Sequence, residues 1–204
     1  MRGGWNHNAQ YHDLLLRMVP EGCQRALDVG CGDGTFLREL ATRAERAMGI
    51  DASREMIRRA EIVCAGVPNV QLLHGNFLDV PLEEGKFDFV SALAVAHMDF
   101  RMVVEKAKRA LRPGGVLAVL GVARDRSAKD FAVSALAVPV NRLLRLQRGW
   151  RETGAPVMDP TMSYRDVLAA GTSLLPGARF RRLLLFRYLL SWRKDPETTR
   201  ARVP

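Results

Sequence analysis

With 204 residues, 48% of them hydrophobic, the chain is sized for one domain with a sizeable core, and its apolar runs are too short and too broken by charge to approach the roughly 20 residues of a bilayer span. Cys23, Cys31 and Cys64 share no metal-ligand spacing and leave an odd cysteine under any pairing, which argues against a metal site or a disulfide scaffold and for a reducing, cytoplasmic compartment. All of the +9 net charge lies after residue 121, where 16 Lys and Arg face 7 Asp and Glu; nucleic acid, anionic lipid or an acidic small molecule could answer to that half, or it is plain arginine-rich composition.

In chain order, the opening MRGGWNHNAQYHDLLL has an arginine but no apolar core of the kind a secretion signal needs. Trp5, Asn6, His7, Asn8, Tyr11 and His12 crowd into it, and residues 1–24 are read as an N-terminal helical segment. Five short runs rich in Val, Leu and Ile follow, RALDVG, AMGIDA, NVQLLHG, FDFVSAL and GVLAVLGV, each closing on a turn former or a small residue; they read as strands. Helices are predicted between them over Thr35 to Ala44, over Ser53 to Ala65 with Ser53 as N-cap and Met56, Ile57 and Ala60 inward, and over Asp99 to Leu111, where Pro113, Gly114 and Gly115 end the pattern.

After Val122 the rhythm changes. A long helical stretch, Ala128 to Arg148 with a break at Pro139, carries Arg142, Arg145 and Arg148 on one face and Val140, Leu143, Leu144 and Leu146 on the other. A helix over Ser163 to Leu174 and two β-like segments, ARFRRLLL and RYLLSWRK, complete the pattern, the last two close enough to pair antiparallel. The alternation predicts a doubly wound α/β domain, a mostly parallel sheet of about seven strands with the last strand antiparallel. It occupies residues 1–194 as one domain, with residues 124–175 as a helical cover and 195–204 as a disordered tail.

The chemistry concentrates in ALDVGCGDGTF, where Gly30, Gly32 and Gly34 form G-x-G-x-G. A dinucleotide fingerprint places its third glycine one residue later, and a P-loop needs Gly-Lys-Ser/Thr, which is absent. The turn holds no Lys or Arg, while Asp28 and Asp33 make it negative. Pyrophosphate is disfavoured there and a ligand carrying an ammonium or sulfonium is favoured.

Taken with three further stretches in order, this turn resembles the first motif of the class I S-adenosylmethionine-dependent methyltransferases, most nearly their small-molecule, type 11/12 branch. GIDAS resembles the second strand of that family, HGNFLDVP its third motif, and FDFVSALAVAHM with RALRPGG its fourth strand and following elements, over about Ala26 to Val122. The resemblance implies S-adenosyl-L-methionine as cofactor and S-adenosyl-L-homocysteine as product. It implies a cofactor pocket of Asp28, Gly30, Cys31, Gly32, Gly34, Asp51, Ala52, Met56, Asn76, Phe77 and the backbone around Ala92 and Leu93, with the glycine turn at the methionine moiety, Asp51 at the ribose, and Asn76 and Phe77 around the adenine. Asp51 would accept from both ribose hydroxyls, as an acid about 20 residues past the turn does in dinucleotide folds. Many relatives have Asp where this chain has Asn76, which keeps a carbonyl acceptor but loses the charge.

A sulfonium-borne methyl group is electrophilic unaided, so the protein mainly aligns the acceptor. If a base is used, His97, His7 and His12 are the candidates, His97 first because similar enzymes carry a histidine there; Tyr11 lies near the methionine end if the N-terminal segment closes over the cleft as a lid. The fourth strand ends in FDFVSAL rather than the Asn/Asp-Pro-Pro-aromatic of amino-methylating nucleic-acid enzymes, and no Pro-Cys nucleophile is present. The expected acceptor is therefore a small molecule offering O, N or C, with nucleic acid disfavoured and peripheral membrane contact open. An RNA or ribosomal-protein methyltransferase docking through the basic half, and a non-enzymatic S-adenosylmethionine-binding protein, are the alternatives.

Overall fold

A computed structural model describes residues 9–93, 98–126, 130, 131, 135, 137–139, 142 and 160–196. Its frame is a seven-stranded sheet made of β1 (Cys23–Val29), β2 (Ala44–Asp51), β3 (Val70–His74), β4 (Phe87–Leu93), β5 (Leu111–Val122), β6 (Arg179–Arg182) and β7 (Arg187–Arg193). The strand order is β3-β2-β1-β4-β5-β7-β6. β1 to β5 are parallel, and β7 runs antiparallel to both β5 and β6. All seven residues of β4 are buried, as a central parallel strand covered on both faces requires. The edge strand β6 alternates exposed Arg179 and Arg181 with half-buried Phe180 and Arg182, and charge on an edge discourages pairing with another chain.

Helices cover both faces. α1 (His12–Leu16), α2 (Thr35–Leu40) and α3 (Arg54–Val63) bury Leu15, Phe36, Leu37, Leu40 and Ile57 on one side with Phe89 and Leu120 of the sheet. On the other, α4 (Phe100–Ala110) and α5 (Tyr164–Leu174) bury Val103, Val104, Ala107, Val167 and Ala170 against Val90, Leu117, Val119 and Leu190. Right-handed crossovers place both sets so that every parallel strand ends at one edge of the sheet, and the turns at that edge are where an open α/β sheet binds ligands.

Ser53 and Asp99 cap α3 and α4 through their side chains, and Ser163 with Asp166 forms a capping box on α5. Three boundaries differ from the sequence pattern. Of the helical segment expected over residues 1–24, Ala9–Tyr11 is a 3-10 turn and α1 spans only His12–Leu16, while Cys23 and Gln24 already belong to β1, whose Cys23 pairs with Ala44 of β2. The helix expected over Thr35 to Ala44 ends at Leu40, because Ala44 pairs with Cys23 as the first rung of the β1–β2 ladder. Pro113, Gly114 and Gly115 lie within β5 rather than in a turn before it: Leu111 pairs with Phe87, and the register shifts before Val116 meets Phe89. The helical stretch expected from Ala128 to Arg148 lies mostly outside the described residues, as do residues 197–204 of the expected tail. Of the arginine stripe, Arg142 is helical and exposed, while Arg145 and Arg148 are outside the described residues. Among the described residues no helix is long and apolar enough to cross a membrane.

Gly34 shows how tightly α2 meets α3. It has φ +77, and a Cβ there would stand 2.8 Å from Ala60 Cβ and 3.2 Å from Cys64 Sγ. Gly34→Ala combines left-handed strain with overpacking and is expected to cost about 2–4 kcal/mol, whereas Gly32→Ala, with nothing within 4 Å, costs about 1–2 kcal/mol through strain alone. Urea unfolding of both variants checks the order.

Candidate active site

The chain leaves β1 through a turn whose three glycines serve three purposes. Gly30 (φ +69) lets the end of β1 pass the end of β4, since a Cβ there would lie 3.1 Å from the Leu93 carbonyl. Gly34 admits the helix contact described above. Gly32 (φ +55) has no protein atom within 4 Å of the Cβ position, so its missing side chain leaves a cradle open to a ligand. The turn is tied to β2 by two bonds to one carbonyl, Gly30 N–H and Cys31 N–H both donating to Ile50 O at 2.8 and 3.1 Å.

Asp51, at the end of β2, completes the tie. Its Oδ2 accepts from Gly32 N–H at 2.9 Å and its Oδ1 from Ser53 N–H at 2.8 Å. Each carboxylate oxygen has a second lone-pair direction, so the same group can hold the turn and still receive two hydroxyls. Asp51 is half-buried at the strand end, and Ala52 beside it is exposed with its carbonyl 3.1 Å from His74 Nε2.

Asp28 lies beneath the turn, 1% exposed, and Ser91 of the paired strand β4 donates its hydroxyl to Asp28 Oδ1 at 2.8 Å. Burial pushes this carboxyl up to about 7; the Ser91 bond opposes the shift and the Asp51 charge adds to it. A buried acid that ionises near neutrality, close to a second carboxylate, suits a ligand that brings positive charge. Asp33 does different work from the one expected: its Oδ1 accepts from Thr35 N–H and Thr35 Oγ1–H at the start of α2.

Asn76 is exposed, and its Oδ1 already accepts from Leu78 N–H at 3.1 Å. Phe77 and Met56 are buried, at 1% and 4% exposure. Ala92 and Leu93 are buried at the end of β4, and Cys31 is buried in the turn. A residue absent from the sequence reading, Lys106, braces the loop after β3: its Nζ donates to the carbonyls of Leu78 and Val80 at 2.8 and 2.6 Å and stands 5.2 Å from the Phe77 ring centroid. Helical spacing alone does not distinguish this lysine from Lys108 on the same helix, which donates to the Leu174 carbonyl instead.

His97 and His7 lie outside the described residues. His12 is buried, 3.0 Å from Glu39 and tilted against Phe36 at 5.0 Å, so it fastens the N-terminal segment to α2. Tyr11 reaches the other way and donates its hydroxyl to the Leu184 carbonyl in the β6–β7 connection. Burial pushes Tyr11 up to about 12 despite the opposing charge of Arg187, which keeps it a donor at neutral pH rather than a base. The segment thus touches elements on both sides of the strand ends.

A cavity of about 270 Å³ opens beside these strand ends. Met98, Phe100, Val122, Met162, Val167 and Tyr188 supply its apolar wall, with Asp99, Arg101 and Thr161 as the polar members. It sits at the starts of α4 and α5 and at the end of β5, where the chain arrives from Leu93.

The first turn of this doubly wound sheet is glycine-built, acid-flanked and clamped by the acid ending β2, at the strand ends where open α/β sheets bind ligands. The methyltransferase-domain family matches residues 26–115. An uncharacterised methyltransferase of Mycobacterium tuberculosis is 32% identical over 93% of this chain and 96% of its own length. The demethylmenaquinone methyltransferase of Lysinibacillus sphaericus is 27% identical over 59% of this chain and 51% of its own. Among solved structures, a SAM-dependent methyltransferase from Aquifex aeolicus superposes with a TM-score of 0.61 at 18% identity, covering 89% of this chain and 88% of that one. The chain belongs to the methyltransferase family, and its fold is the Rossmann-like class I fold.

The raised Asp28 carboxyl has a stability consequence. The folded chain keeps this proton up to about pH 7, while an unfolded aspartate releases it near its ordinary value of 3.8, so the Asp28 contribution is fully present below about pH 4 and is lost as pH rises through about 7. Asp28→Asn, which keeps an acceptor for Ser91 and never ionises, is expected to flatten the fall in unfolding free energy between about pH 4 and 7 in urea titrations of the unliganded protein.

Proposed function

We propose that this methyltransferase uses S-adenosyl-L-methionine to methylate an O, N or C nucleophile of a small-molecule acceptor. The observation that carries the small-molecule reading is the cavity of about 270 Å³ at the starts of α4 and α5 and the end of β5, a volume near the lower end for small-ligand sites. In this reading Gly32 offers the open approach for the methionine moiety and Asp51 receives the two ribose hydroxyls. Asp28 faces the positive end from beneath, and Asn76 with the Phe77 backbone meets the adenine. The cofactor supplies a methyl group already activated by the sulfonium.

The chain's own contribution is alignment and shielding. Asp51 fixes the glycine turn through Gly32 N–H, so the cradle's shape and the ribose contact rest on one side chain. Lys106 holds the Leu78–Val80 carbonyls and so keeps the adenine loop against α4. The Tyr11 to Leu184 bond holds the N-terminal segment near the strand ends, where it would limit solvent access to the acceptor. Of the proposed catalytic residues, Tyr11 serves in this way, and His97 and His7 stay as candidates for a base.

Incubation with methyl-labelled S-adenosylmethionine and a whole cell extract, followed by identification of the labelled product, tests the acceptor class; label appearing only in RNA or protein would contradict it. Asp51→Ala loses two ribose bonds and the turn clamp, and it is expected to weaken S-adenosylhomocysteine binding by at least about 100-fold. Calorimetric titration of the folded variant measures this directly.

A further inference from the structure

The mouth and the inner wall of the cavity differ in chemistry. Among its described lining residues, Asp99, Arg101 and Thr161 are exposed and stand at the mouth, whereas Phe100, Val167 and Tyr188 are buried and form the inner wall. That wall carries one side-chain hydroxyl, on Tyr188, a residue 3% exposed. Among the described residues this hydroxyl has no hydrogen-bond partner. Unlike the Tyr164 hydroxyl, which is unpartnered and fully enclosed, it reaches open space, and the open space that Tyr188 lines is the cavity. A donor held there without a partner is a costly arrangement that a ligand would relieve.

The fold fixes where the hydroxyl stands. Tyr188 pairs across the β5–β7 ladder with Gly121, and a Cβ on that glycine would lie 2.5 Å from Tyr188 Cζ and collide with the hydroxyl oxygen. The ring therefore lies over β5 in the space a side chain would fill, the kind of close approach that a strand glycine permits. Its hydroxyl is carried off β7 to the end of β5, one residue past the Leu93–Leu120 pair that closes the ladder with β4. Phe180 of β6 stacks on the ring, with centroids 5.6 Å apart and planes at 22°, so the group is held in place before any ligand arrives. Burial pushes the hydroxyl above the ordinary tyrosine range, which keeps it a donor at neutral pH rather than a base.

Resting on the small-molecule reading above, we propose that Tyr188 binds the methyl acceptor, its hydroxyl donating to an acceptor oxygen at the inner end of the cavity, and that the acceptor is a mostly apolar, uncharged compound carrying such an oxygen. The buried wall of Phe100 and Val167, with half-buried Met98 and Met162 beside it, rewards an apolar body. A charge brought against that wall would give up its hydration for one neutral hydrogen bond, which is unfavourable. Charged parts of an acceptor are therefore left at the mouth, where Arg101 and Asp99 present both signs. An analogue lacking the oxygen would leave the Tyr188 hydroxyl unmet, and a site built around a buried hydrogen bond rejects such an analogue.

The test uses three probes of one size, titrated by ligand-observed NMR with and without S-adenosylhomocysteine: acetophenone, α-methylstyrene, in which a methylene group replaces the carbonyl oxygen, and benzoate, which is charged. Wild-type protein is expected to bind acetophenone about tenfold more tightly than either of the others, although α-methylstyrene is the more apolar. Tyr188→Phe, which keeps the ring over Gly121, is expected to lose about tenfold for acetophenone and nothing for α-methylstyrene. The same variant should keep the wild-type affinity for S-adenosylhomocysteine. Its urea midpoint without ligand should be unchanged or raised, because the missing hydroxyl made no bond in the folded chain. Equal or weaker binding of acetophenone against either comparison probe, no binding of any probe, an unchanged acetophenone affinity in Tyr188→Phe, or a lowered urea midpoint overturns the proposal. Failure to bind S-adenosylhomocysteine, or label confined to RNA or protein in the cell extract, counts separately against the reading on which it rests.

Discussion

The carboxylate of Asp51 accepts a backbone N–H from the turn after β1 and another from the turn after β2, and the geometry of the whole strand-end surface follows from that bridge. Gly32 can hold a left-handed conformation with empty space beside it because its N–H is anchored. Gly30 can pass close to Leu93 because the same turn is held to Ile50 O. Were the acid absent, the turn would retain its glycines and lose its fixed shape, since permissive residues do not choose one conformation by themselves.

Below this bridge the sheet has to accommodate charge where it is otherwise most apolar. Asp28 is enclosed on β1 with Ser91 of β4 as its hydrogen-bond donor, an arrangement tolerable because the carboxyl keeps its proton to about neutrality. A cation brought by a ligand would reverse that balance, which couples occupancy of the cradle to the protonation of the strand beneath it. On the far side of β4, α4 and α5 begin at the cavity.

Much of this was legible before any coordinates. Val116 to Leu120 of β5 is a continuous apolar run because both faces of the sheet are covered there, and Ser53 announces its helix by an N-cap that the structure reproduces. Legibility failed where two elements compete or where distant segments meet. Thr35 to Ala44 has helical pattern throughout, yet pairing of Ala44 with Cys23 takes its end into the sheet, and the Pro-Gly-Gly of β5 is a ladder irregularity that looks like a turn. Lys106 and Tyr188 come from separate elements that only the tertiary fold joins to the strand ends, and no local spacing marks them.

The central claim is that this strand-end cradle holds an adenosyl ligand with a positive end rather than a dinucleotide. Calorimetric titration of the wild-type protein with S-adenosylmethionine, S-adenosylhomocysteine and NAD under identical conditions tests it most directly. The account predicts one-to-one binding of both adenosyl ligands and no detectable heat with NAD; saturable binding of NAD with none of the adenosyl compounds would contradict it.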